Sequence, residues 1–151
     1  METQFKKRVL ELAKGHSMVK DALMQLHPEA FKSKDWHDIK TYEDAEEALP
    51  VAEEDKLRDT DSPYIIALKK LLHIRRAMCP DFKVDWTNSN QRKWRPWFNL
   101  SSGFGFDDSV YGFTDAHTDS GSRLCLPTEE ISDYFGKQFI DLHEILITYQ
   151  I

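Results

Sequence analysis

The sequence predicts an α+β protein: a small antiparallel β-meander of three to four strands packed on helices, with helices at its N-terminus and a helix at its C-terminus. Two observations carry that prediction. Apolar residues recur at helical spacing between residues 5 and 78 and again between 131 and 146. After Pro80, large aromatic residues alternate with polar ones and are punctuated by Gly, Ser and Asp, the composition of short strands and turns.

Each element has its own signal. Phe5, Val9 and Leu12 define a first helix that ends at Lys14-Gly15. Ser17 caps a second, whose stripe is Val19, Ala22, Leu23 and Leu26 and which halts at His27-Pro28. Together they form an N-terminal helical extension over residues 1–38, followed by an α+β domain over 39–151, the whole expected to be one compact unit. Thr41 and Asp44 form a capping pair for a short helix carrying Tyr42, Ala45 and Leu49, stopped before Pro50. The acidic stretch 50–61 reads as a loop. Ser62-Pro63 then opens a helix with Ala67, Leu71, Ile74 and Met78 inward and Lys69, His73 and Arg76 on a cationic outer side. Strands are expected near 94–101, 103–107, 109–115 and 122–126, joined at Ser102-Gly103, Asp107-Asp108 and 119–121. Thr128 caps one final helix whose apolar face is Ile131, Phe135, Phe139, Leu142 and Leu146; Gly136 inside it marks a close approach, because a helical glycine costs about 1 kcal/mol relative to alanine.

Composition narrows the function classes. The chain has 151 residues, 40% of them hydrophobic, enough for one core. No apolar run approaches the roughly 20 residues that span a bilayer, and the N-terminus lacks a signal-peptide pattern, so a cytoplasmic protein without membrane contact is expected. Cys79 and Cys125 lie far apart and read as reduced packing cysteines. The net charge of −6 conceals blocks. Residues 41–61 carry nine acidic groups against two basic, 62–106 eight basic against two acidic, and 107–151 nine acidic against two basic. Such blocks either satisfy one another or present a charged surface, and mutual satisfaction is the simpler reading.

The richest stretch is 90–106, NQRKWRPWFNLSSGFGF. In a strand, Trp94, Pro96, Phe98 and Leu100 share one face, and Arg95, Trp97, Asn99 and Ser101 the other. The first is a core set. The second leaves Trp97 among Arg95, Asn99, Gly105, Gly112, Thr114, Arg123 and Cys125, small or polar neighbours that make the indole a candidate contact, or simply a cover over bare backbone. Arg92, Lys93, Arg95, Trp97, Asn99 and Arg123 are therefore the candidate binding surface. If the partner were single-stranded nucleic acid, Arg92, Lys93 and Arg95 would neutralise phosphates while Trp97 stacks on a base, helped by Lys69, Lys70 and Arg76. The isoelectric point near 5.5 argues against a dedicated nucleic-acid binder.

Catalytic signatures are weak. His117 and Asp119, two apart, with His143 as third ligand would imitate a two-histidine, one-carboxylate metal site, although 143 lies off the apolar stripe and 117 in a polar turn. Cys125 with His143 is a weaker nucleophile pair. There is no GxSxG, Walker, HExxH or paired CxxC motif, and no cofactor is expected.

The order of residues 39–49 (IKTYEDAEEAL), 85–91 (DWTNSNQ), Lys93-Trp94, 96–98 (PWF), 103–106 (GFGF), 121–126 (GSRLCL) and 134–142 (YFGKQFIDL) resembles a family of uncharacterised proteins encoded by phages and integrated elements of gut Bacteroidetes. The resemblance covers residues 39–151 and implies a phage or prophage origin; it transfers no activity, cofactor or active site. The expectation is a non-enzymatic protein-interaction module with an unidentified partner from the phage or its host. The alternative is a single-stranded nucleic-acid binder, and third comes a small metal-dependent enzyme.

Overall fold

A computed structural model of the chain describes residues 2–12, 22–23, 25–26, 35–112 and 122–150. The chain divides into two compact units, Met1–Asp35 and Trp36–Ile151. In the first, helix α1 spans Glu2–Leu12, with Val9 buried but Phe5 and Leu12 half or more exposed, so the expected stripe is only partly covered. Of the expected second helix only 22–23 and 25–26 are described, and they are helical. The end at Lys14-Gly15, Ser17 and the stop at His27-Pro28 lie outside the described residues.

The second unit is α+β. Helix α2, Tyr42–Ala48, begins with the expected capping box: Thr41 Oγ1 accepts the Asp44 N–H at 3.1 Å while Asp44 Oδ2 accepts the Thr41 N–H at 3.0 Å. Helix α3, Pro63–Met78, has Ser62 as N-cap and Pro63 in its first turn. Ala67, Leu71, Ile74 and Met78 are buried as their spacing requires. The outer side of α3 differs from expectation. His73 is fully buried, because α2 packs against α3 and brings the Tyr42 ring to 5.8 Å from the imidazole. Burial holds the His73 pKa below its ordinary value.

Among the described residues the sheet has two strands, not three or four. Strand β1, Lys93–Asn99, pairs antiparallel with β2, Gly105–Gly112. The hairpin turns at 100–104, where Gly103 takes φ 114°, a left-handed conformation open to glycine. Asp107-Asp108 is not a turn but a β-bulge: Trp97 opposes Asp108 while Phe98 opposes Phe106, so Asp107 is the extra residue. The bulge reverses side-chain parity along β2, putting Phe106 and Ser109 on the same face, which the sequence suggests by a strand break. Residues 113–115 lie outside the described residues.

The segment expected as a strand at 122–126 is a 3-10 turn, Ser122–Leu124, followed by one antiparallel bridge between Trp94 and Leu126. Trp94 and Leu126 exchange both backbone hydrogen bonds, at 3.0 and 2.8 Å. Two residues on, along the same edge of β1, stands Pro96, which has no N–H to offer. Pro127 and the N-cap Thr128 end the other side, so the ladder cannot lengthen.

The final helix is two: α4, Glu129–Gln138, and α5, Ile140–Thr148, parted at Phe139 (φ −112°, ψ 33°). The Phe135 carbonyl there accepts the Phe139 N–H at 3.3 Å, and the His143 ring packs edge-on against Phe135, centroids 4.9 Å apart. Helix α5 and α2 flank α3, and α4 lies on the hairpin. The core joins Ile39, Leu71, Ile74, Leu126, Phe135 and Phe139.

Helix α4 can lie on the sheet because of Gly136. A Cβ there would stand 2.6 Å from Pro96 Cβ and 2.6 to 2.7 Å from the Phe106 ring, distances real carbons do not adopt. One turn earlier, Ser132 Oγ and Ser109 Oγ form a buried hydrogen bond of 2.8 Å. Gly136→Ala should therefore lower stability by about 1–2 kcal/mol, overpacking outweighing the gain in helix propensity. Gly105→Ala, where an added Cβ meets nothing within 4 Å, should be close to neutral. Urea midpoints for the two variants check this; a stabilised Gly136→Ala would contradict the packing.

Candidate functional site

The six surface candidates do not form one patch. Trp97 is 57% exposed on the outer face of β1, with Arg95 half-buried beside it and Val110 and Asp108 opposite on β2. The inward set is confirmed for Trp94, Pro96 and Phe98, whereas Leu100, at the hairpin end, is 59% exposed. Asn99 is exposed, and its Oδ1 accepts the Ser101 N–H at 2.8 Å and the Ser101 hydroxyl at 2.6 Å, shaping the turn. Arg92 lies on the other side of the sheet: its guanidinium sits 4.8 Å over Tyr111, the cross-strand neighbour of Trp94.

Lys93 is 1% exposed. Its ammonium donates to the carbonyls of Gln91 at 3.1 Å and Asn88 at 3.4 Å. The reason lies in the preceding segment, where polar side chains wind the backbone into a tight turn. Asp85 Oδ1 accepts the Thr87 N–H at 2.9 Å and its hydroxyl at 2.7 Å, Asn88 Oδ1 accepts the Asn90 N–H at 2.8 Å, and Gln91 Nε2 donates to the Lys83 carbonyl at 3.0 Å. The Thr87 hydroxyl, with the surrounding amides, also holds the Asp85 carboxyl below its usual range. Carbonyls turned inward by that turn receive the lysine, a use that strand parity alone does not disclose.

Arg123, exposed on the 3-10 turn, belongs to a different feature. A cleft of about 460 Å³ lies between the last turns of α3, the 82–86 segment, Arg123 and the acidic 3-10 turn Glu53–Asp55. Two consecutive arginines of α3 reach it and have opposite fates. Arg76 pairs with the buried Asp55 and lies 3.6 Å from Glu54. Arg75 donates from Nε to the Cys125 carbonyl at 2.9 Å and lies 5.4 Å over the Phe82 ring, yet its Nη2 is buried with no acceptor among the described residues. An unmet donor of this kind costs about 1–3 kcal/mol. Lys83 and Trp86 line the same cleft, with Trp86 42% exposed. Neither sequence parity nor motif search singles out Arg75, Lys83 or Trp86. Their signal was the run RRAMCPDFKVDW at 75–86, cations and rings either side of a helix end.

Charge blocks satisfy one another along α3. Besides Arg76, Lys69 bridges Asp61 at 2.6 Å and donates to the Lys56 carbonyl at 2.9 Å, tying the acidic segment to the helix. The Lys69 hydrogen bond holds the Asp61 carboxyl low. Among the described residues Arg75, Lys83 and Arg123 have no carboxylate partner.

The metal and nucleophile candidates fare differently. His117 and Asp119 lie outside the described residues. His143 is 2% exposed, not on a polar helix side, with its ring centroid 4.8 Å from Phe98 and 4.9 Å from Phe135. Position 143 lies four residues after Phe139 and seven after Gly136, on the same inward face as buried Ser132, a face that counting apolar residues alone misses. Desolvation pushes the His143 pKa down to about 4. Burial also raises both thiols, Cys79 to about 11, the reverse of what a nucleophilic thiolate needs. No helix among the described residues is long and apolar enough to cross a membrane.

A neutral buried His143 makes stability depend on pH. The unfolded side chain titrates near 6.5 and the folded one near 4, so between those values the unfolded chain binds the extra proton. Stability is full above pH 6.5 and falls as pH drops through that window, by about 3 kcal/mol at pH 4 from this residue. His73 acts in the same direction. His143→Phe should flatten the fall, measured as urea midpoints at pH 7, 5.5 and 4.5 beside the unaltered protein; an unchanged slope would contradict the assignment. Compared with known proteins, the chain matches no family model, no curated protein and no solved structure.

Proposed function

We propose that the chain is a non-enzymatic binding module that docks a protein partner through the outer face of its hairpin. The observation that carries this reading is Trp97. An indole 57% exposed, on a strand whose alternate residues Pro96 and Phe98 turn inward, leaves a large rigid apolar surface in water. Tryptophan in such a position is the residue type that most often dominates protein–protein contacts. The surroundings favour protein over nucleic acid. Asp108 stands directly across from Trp97 and Asp107 bulges beside it, so the basic Arg95 is balanced by two exposed carboxylates. The resemblance of residues 39–151 supports a phage or prophage origin and a partner from that phage or its host, and the proposal takes the bacterial cytoplasm as the compartment.

The test is affinity capture from a phage-bearing host with the unaltered protein, Trp97→Ala and Trp97→Phe as baits, followed by binding measurements with the purified captured protein. Trp97→Ala should weaken binding by about 2 kcal/mol, roughly thirtyfold, with Trp97→Phe between. No specific partner in replicate, or equal binding by Trp97→Ala, would overturn the reading. A salt-sensitive fluorescence quench by single-stranded oligonucleotides, lost in Trp97→Ala and Arg95→Ala, would replace it with the nucleic-acid reading.

A further inference from the structure

We propose that the cleft formed by the end of α3, the 82–86 segment and Arg123 is a second, separate site, built for a phosphate monoester carried on a flat ring, the chemistry of a nucleotide. Size comes first: about 460 Å³ falls inside the roughly 300–1,000 Å³ of small-molecule sites.

Charge comes next. Four cations border the cleft, and the carboxylates of Glu54 and Asp55 engage only Arg76. Arg75, Lys83 and Arg123 converge from three separate stretches of chain and lack a carboxylate partner among the described residues. Four cations and two carboxylates on one lining leave a net positive charge that a dianion offsets. Arg75 is already oriented, clamped through Nε to the Cys125 carbonyl and laid over Phe82, while Nη2 lacks an acceptor. A guanidinium that lines the cleft and is held in place through Nε suits an oxyanion. A sulfate-like ion alone would satisfy the charge but not the rest of the lining. Trp86, Phe82 and Leu72 supply ring and aliphatic surface, and Trp86 is exposed enough to stack. Glu54, at the far side beside Arg76, offers an acceptor for a ring amine or a sugar hydroxyl.

The phosphate-bearing ring has two sources, a free mononucleotide or the phosphorylated end of a single strand. Indole N–H resonances of the four tryptophans in a ¹⁵N-labelled full chain distinguish the outcomes, Trp86 being assigned with Trp86→Phe. Each ribonucleoside 5′-monophosphate, adenosine, inorganic phosphate, and a short oligonucleotide with and without a 5′-phosphate are titrated in turn. We expect saturable shifts at Trp86 with at least one monophosphate or with the 5′-phosphorylated strand, the former identifying a free nucleotide and the latter a strand end. Removing the phosphate should abolish them. Arg123→Gln and Lys83→Gln, at exposed positions, should each weaken binding about tenfold. Arg75→Gln should do more, but it also loses the Cys125 contact, so the two exposed variants decide. Trp97→Ala should leave binding unchanged, which separates this site from the hairpin face. No saturable shift with any phosphate-bearing probe, binding indifferent to Arg123→Gln and Lys83→Gln, or equal binding of adenosine and its monophosphate would overturn the proposal.

Discussion

The contact between Gly136 and the inner face of the hairpin is the constraint on which the second unit turns. A two-stranded sheet has too little of its own to bury and needs a partner layer. Helix α4 serves because it presents no side chain where Pro96 and Phe106 press against it, and because Ser132 meets Ser109 one turn away. With that face committed, Phe98 is drawn against Phe104 and His143. The opposite face of β1 is left to water, and Trp97 with it. The exposure of that indole is thus a consequence of where a glycine stands in a helix some forty residues later in the chain.

Charge is distributed by the same economy of surfaces. The acidic segment 53–61 is not a free lure for a basic partner; it is bound along α3 through Asp55 to Arg76 and Asp61 to Lys69. Such pairs contribute little stability where exposed, but Asp55, 4% exposed, must keep its partner, since an uncompensated buried carboxylate is costly. By pairing with Arg76, the acidic turn separates it from Arg75, which has no carboxylate partner among the described residues. Two adjacent residues of one helix are thereby given different chemistry.

Much of this was legible in the sequence for physical reasons. The Thr41–Asp44 box, the Ser62-Pro63 start, the Thr128 cap and the hairpin at Ser102-Gly103 are local devices, set by residues within a turn of one another. The parity that turns Trp97 outward is local too. What sequence reasoning missed depends on how the chain folds back on itself, which spacing along one element does not disclose. The buried Lys93 needs carbonyls aimed by the 85–91 turn, and the buried His143 needs Phe98 and Phe135 packed against its ring. The shortened third strand needs the coincidence of Pro96 and Pro127 at its two ends. The parity reversal across Asp107-Asp108 was visible in the placement of the aromatics, but a bulge and a turn produce the same alternation, and only pairing with β1 tells them apart. The cleft escaped because its four cations are separated by up to 48 positions, Arg75 to Arg123.

The central claim is that β1 turns Trp94 inward and Trp97 outward. Brief hydroxyl-radical labelling of the folded protein, read residue by residue by mass spectrometry, measures that directly. At 57% against 9% exposure, Trp97 should be oxidised several times faster than Trp94, with Trp86 close to Trp97. Equal rates for 94 and 97, or a protected Trp97 in the monomeric chain, would show that the strand is turned the other way or covered, and the account of the hairpin face would fail with it.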